Sequence, residues 1–124
     1  MTMGLRKKFN YVIIVYTIGA SKTHSLLQPY LSPKIRDKLM QKTPSVSEND
    51  VDECFNNRTH LSLEDTREDH KTDPITLWFI SENDYGRRLK ICYILNADQQ
   101  VSIKTAYVPN SDEERIYQKY ATPL

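Results

Sequence analysis

Glycine is scarce in this chain: three residues in 124, none in a G-x-G arrangement. That removes the backbone-amide cradle that nucleotide-binding loops use for phosphates. Cysteine is as sparse. Cys54 and Cys92 stand far apart without the spacing of a zinc or redox site, which suits reduced, partly buried thiols in a cytoplasmic protein. The three histidines form no H-E-x-x-H or H-x-x-x-H pair, so neither a metal nor another cofactor is expected. A surplus of charge is missing too, since 17 basic residues meet 16 acidic ones. Any basic surface for nucleic acid must then come from local segregation.

Long hydrophobic stretches are absent as well. The apolar run at residues 11–18 is too short to span a bilayer, and no membrane partner is expected. It follows Arg6-Lys7-Lys8 and precedes Gly19-Ala20-Ser21. That order fits a secretory signal, a strand rich in Val, Ile and Tyr, or an extension from an upstream start, and the three alternatives stay open. Residues 1–30 therefore read as an N-terminal extension or linker, and residues 31–124 as one domain.

What is present is a sequence of well-marked elements. Ser32-Pro33 opens a helix that ends near Lys42, ahead of Thr43-Pro44. Ser47 and Asp50 stand in capping-box spacing before Val51, Cys54 and Phe55, and Asn56-Asn57 is expected to end this second helix through the left-handed conformation that Asn tolerates. Strands are expected at residues 59–64, 75–81, 88–95 and 101–108, separated by a charged connector and two turns. Ser111, with Glu114 three residues on, caps a last helix. The fold class is α+β: two N-terminal helices, a four-stranded antiparallel meander and a C-terminal helix.

The apolar alternation also predicts register. Leu95 faces Val101, Tyr93 faces Ile103, Ile91 faces Thr105 and Leu89 faces Tyr107; in the other hairpin Phe79 lies beside Leu89, Leu77 beside Ile91 and Ile75 beside Tyr93. The opposite face then collects Arg88, Lys90, Cys92, Ile94, Ser102, Lys104, Ala106, Thr76, Trp78 and Ile80, with Trp78 next to Lys90. Cations that hold phosphate and an aromatic that stacks on bases make a nucleic-acid platform; the competing reading is an apolar patch under a helix, with the cations at its rim.

The connector from Glu64 to Asp73 supplies chemistry for that platform. His70 can act as general acid or base, with Glu64 and Asp69 orienting it. Arg67, Arg88, Lys90 and Lys104 can stabilise a phosphate in the transition state, and Tyr107 can donate a proton. Together they would support metal-free cleavage of RNA by attack of a ribose 2′-hydroxyl.

Five segments carry a family resemblance: LSPKIRDKL, VDECFNNRT, LEDTREDHKTDPITLWFI, GRRLKICYI and IKTAYVPNSDEERIYQKYA. Between Leu31 and Ala121 the chain resembles small bacterial proteins that carry the name ADP-ribosyl-(dinitrogen reductase) hydrolase. These in turn look similar to toxins of type II toxin–antitoxin pairs of the RelE/BrnT kind. The resemblance implies a compact α/β endoribonuclease that cuts RNA, often ribosome-bound mRNA, without a metal, and that a cognate antitoxin neutralises. Two other functions stand beside it. One is a non-enzymatic immunity or regulatory module that binds a protein through the mixed-charge connector. The other is the ADP-ribose chemistry of the name.

Overall fold

The computed structural model describes residues 29–124, apart from the side chain of His70. The expectations for residues 1–28 lie outside the described residues. The architecture is α+β, with elements in the expected order. Helix α1 spans Pro33–Met40 and helix α2 spans Glu48–Asn56. Strand β1 is Leu63–Glu64, a 3-10 turn follows at Glu68–His70, and β2 covers Thr76–Glu82. Strands β3 (Arg88–Leu95) and β4 (Val101–Tyr107) precede helix α3 at Ser111–Tyr120. The sheet is antiparallel in the order β1-β2-β3-β4. Among the described residues no helix is long and apolar enough to cross a membrane.

Local chemistry accounts for the helix ends. Ser32 Oγ accepts from the Ile35 amide at 3.2 Å, with Pro33 in the first turn, where a missing N–H costs nothing. Ser47 and Asp50 close both halves of the capping box, at 2.9 and 3.1 Å. Asn57 ends α2 differently from expectation. Its φ is −94°, outside the left-handed region, and its side-chain amide instead donates to Glu82 O and Asp84 Oδ1. The cap of α3 lies one residue earlier than Ser111: Asn110 Oδ1 accepts from the Glu113 amide, and Glu113 Oε1 accepts from the Asn110 amide.

The two faces of the sheet follow from residue alternation. Leu77, Phe79, Leu89, Ile91, Tyr93 and Ile103 face α1 and α2 and are nearly inaccessible to solvent. Phe55 of α2 meets Phe79 and Tyr93 edge-on, with ring centroids 4.8 and 5.4 Å apart. Edge-on pairs add roughly 0.5–1.5 kcal/mol each beyond their buried area. The other face carries Trp78, Ile80, Lys90 and Cys92, and α3 packs there, with Tyr117 5.6 Å from Trp78.

Register departs from expectation in both hairpins, and two element boundaries differ as well. In the β2–β3 hairpin Phe79 pairs with Ile91 and Leu77 with Tyr93, two residues from the expected alignment, so each side chain keeps its face. The cause is the turn. Asn83 is buried, its side-chain oxygen accepts from the Tyr85 and Arg87 amides, and Gly86 takes φ +86°. In the β3–β4 hairpin Leu95–Val101 and Tyr93–Ile103 pair as expected, but a bulge follows: Cys92 pairs with Thr105, Ile91 with Ala106 and Lys90 with Tyr107. Lys104 is the extra residue, and the insertion sends Ala106 to the core and Tyr107 to the Lys90 face. Finally, β1 is shorter than residues 59–64, because Leu61 and Leu124 amides bond with Thr122 and Thr59 carbonyls, drawing that stretch to the C-terminal tail. The linker also ends sooner than expected, since Tyr30 bonds β4 at Val101 O and the Ile103 amide.

Asn83 also donates to Asp50 Oδ1, tying the hairpin to α2. Asn83→Ala should therefore cost about 2 kcal/mol in denaturant unfolding, because it takes the acceptor from two backbone amides and one hydrogen bond from Asp50. Tyr85→Ala, two residues along the turn and 91% exposed, should stay within about 0.5 kcal/mol of the parent.

Candidate functional site

The bulge and the cap of α3 together build one polar cluster around a buried Lys90. Lys90 is 4% exposed, and its Nζ donates to Glu113 Oε2 at 2.8 Å. The Tyr107 hydroxyl donates to the same oxygen at 2.7 Å. Lys90 Nζ also stands 4.3 Å from the Trp78 ring centre and 5.5 Å from that of Tyr107. Burial opposes charge on both partners, yet the ion pair wins. Lys90 titrates above its ordinary value, and hydrogen bonds from Lys90, Tyr107 and the Asn110 amide hold Glu113 below its own. Burial first, and the Glu113 hydrogen bond second, push the Tyr107 phenol up.

A cleft of about 520 Å³ opens beside this cluster, between α3 and the stretch from Leu61 to Arg67. Leu61, Leu63 and Trp78 are buried along it, while Ile116 and Tyr120 of α3 remain 38% and 59% exposed. At its rim Arg67 makes a two-point contact with Asp65, Nε to Oδ1 at 2.9 Å and Nη2 to Oδ2 at 2.8 Å. The Arg67 hydrogen bond holds the Asp65 carboxyl below its usual range. The charged side chains on this side of the sheet are Asp65, Asp112 and Glu113 against Arg67 and Lys90, a surplus of one negative charge; Glu64 borders the cleft with its side chain on the other face. A second cleft, of about 560 Å³, lies on the other flank of α3, beside His60, Arg88 and Glu114.

The expected site residues separate into groups. Trp78, Lys90 and Tyr107 do come together, although Trp78 pairs with Cys92 and meets Lys90 diagonally. Arg67 joins them at the cleft. Arg88 shares their face but is held by Glu114, at 2.7 and 2.8 Å, and by Glu82 at 3.4 Å. Lys104 is exposed on the bulge, without a cross-strand partner. Glu64 is 7% exposed and pairs with Leu77, which puts its side chain on the α1–α2 side, away from Lys90. Asp69 is exposed in the 3-10 turn, which His70 ends. The described residues form no open row of cations.

Sequence reasoning missed Glu113 and Asp65. The N-x-x-E spacing from Asn110 was a usable signal for the first; nothing marked Asp65 among the connector's carboxylates. Burial pushes the Cys92 thiol up to about 11 and the Cys54 thiol up to about 12, so neither is an activated nucleophile. Among the described residues no group of three His, Cys, Asp or Glu side chains could hold a metal ion.

No family model, curated protein or solved structure matches this chain. The site must be read from its own geometry.

Glu113 gives that geometry a pH signature. Its folded pKa lies below 4.5, so its contribution to stability is complete above the unfolded value and is lost as pH falls through the folded one. Glu113→Gln should destabilise at neutral pH, and the gap to the parent should close in unfolding curves taken progressively below pH 4.5. Lys90→Met should cost about 3 kcal/mol at pH 7, since it leaves a largely buried carboxylate without its cation.

Proposed function

We propose that this protein is a non-enzymatic binding module of the immunity or regulatory kind, which recognises a protein partner through the connector at residues 64–73 and the adjoining cleft. One observation carries the reading. Two of the three sheet cations that would have gripped RNA are already paired, Lys90 with Glu113 in a buried contact and Arg88 with Glu114 in a more exposed two-point one. An incoming phosphate would have to displace a carboxylate from each. What faces outward from the connector is mixed charge: Arg67, Glu68, Asp69, Lys71 and Asp73 are all exposed. The connector as a whole holds five carboxylates and two cations, which suits a basic protein surface better than a polyanion.

A second reading, the metal-independent endoribonuclease with RNA as substrate and an antitoxin as partner, keeps one observation in its favour. Arg67 and Lys104 are exposed cations, and the Tyr107 hydroxyl with the Glu113 carboxylate forms an acid–base pair close to the first of them. The two readings part in one experiment. The parent and a Glu68→Lys/Asp69→Lys variant are produced in bacteria, RNA ends are mapped and co-purifying proteins are identified. The binding module predicts a basic partner retained by the parent and lost from the variant, with no new RNA ends. New RNA ends that disappear with Lys104→Ala and His70→Ala would overturn it in favour of the nuclease.

A further inference from the structure

Building on the protein-binding reading, we propose that the cleft between α3 and residues 61–67 receives a short, extended, cationic segment of the partner, anchored by one large apolar side chain. Three features of the cleft point to this occupant. The first is size: about 520 Å³ is more than one side chain fills, and it falls in the range of sites that enclose a few residues of a ligand.

The second is an apolar surface left in water. The floor of Leu61, Leu63 and Trp78 is already formed, with each residue less than a tenth exposed. Above it Ile116 and Tyr120 project from one flank of α3 and are not covered by the rest of the described chain. A side chain seated between those two walls would cover them and touch the indole. Anchors of this kind, an aromatic or aliphatic group in a desolvated pocket with a polar rim, carry most of the energy of small interfaces.

The third is charge. On the cleft's side of the sheet the lining has one more carboxylate than cations, Asp65, Asp112 and Glu113 against Arg67 and Lys90. Both cations are already matched, Arg67 by Asp65 and Lys90 by Glu113, so an anionic ligand finds no free partner there. Asp112 at the rim pairs, among the described residues, with Arg115 at 3.0 Å, a contact between two side chains that are 76% and 69% exposed and that water can replace. Glu68, Asp69 and Asp73 on the neighbouring connector extend the negative field. A lysine or arginine beside the apolar anchor is the complementary group.

The protein carries its own reporter, because Trp78 is its single tryptophan and belongs to the cleft floor. The full chain is titrated with three synthetic peptides of eight residues: lysine-rich with a central Leu-Phe, the same with glutamate for lysine, and the same with serine for Leu-Phe. A short RNA oligonucleotide is the fourth arm. The expected result is a saturable fluorescence change with the first peptide, about tenfold weaker binding with the serine peptide, and no saturation with the glutamate peptide or the RNA. Binding should weaken as salt rises. Ile116→Arg and Tyr120→Ala, both at exposed positions and checked for parental circular dichroism, should each weaken the first peptide about tenfold. Absence of saturation, equal response to the glutamate peptide or RNA, or indifference to both substitutions overturns the inference. So does a concentration-dependent change without any peptide, which would assign the cleft to a second copy of the chain. If the peptides fail while the partner is still captured through Glu68 and Asp69, only the cleft assignment falls; loss of both removes the binding reading with it.

Discussion

One carboxylate both starts the last helix and ties it to the sheet. Glu113 Oε1 accepts from the Asn110 amide and so starts α3; Glu113 Oε2 accepts from Lys90 and Tyr107 and so fixes α3 on the sheet. The same side chain is a helix cap and a docking contact. Its neighbour Glu114 repeats the attachment on Arg88. Where the first turn of a helix is acidic, the usual account is the favourable field of its N-terminus. Here those charges have specific cationic partners on the strand below, and that pairing decides what the face of the sheet can do. With Lys90 and Arg88 paired to α3, this face presents an apolar cleft edged by Asp112.

Much of the fold was legible from residue pattern. The element order, the starts of α1 and α2, and the span of β3 follow from cap residues and apolar periodicity. The parity of strands β2 and β3 survived even where their alignment slipped by two residues, because an even slip leaves each side chain on its face. Other features were set by contacts that a local pattern does not contain. The turn at residues 83–87 is shaped by a buried Asn83 reaching Asp50 of α2. The shortening of β1 comes from pairing with the tail, some sixty residues away in sequence. The bulge at Lys104 is the most consequential. A single extra residue exchanged Ala106 and Tyr107 between faces, and an alternating run of Val, Ile, Thr and Tyr does not advertise where that occurs.

The candidate site was legible in part. Trp78 beside Lys90 was expected and found, and Arg67 lies near them. The expected row of Arg88, Lys90 and Lys104 dissolved for two physical reasons: the bulge displaced one member, and carboxylates of α3 took up the others. Both carboxylates were visible in the sequence as helix-start residues. Their second role depends on how α3 lies across the sheet, which only tertiary packing decides. The same packing leaves Ile116 and Tyr120 in water beside a buried indole; their four-residue spacing marks a shared helix face, but not that this face stays uncovered while Tyr117 is buried.

The central claim is that Lys90 is sealed beneath α3 while Lys104 is open to solvent. Mass-spectrometric footprinting with an acetylating reagent on the native protein reads this directly, lysine by lysine. The account predicts rapid labelling of Lys104 and protection of Lys90 until the protein is unfolded. Equal labelling of the two in the native state would contradict it.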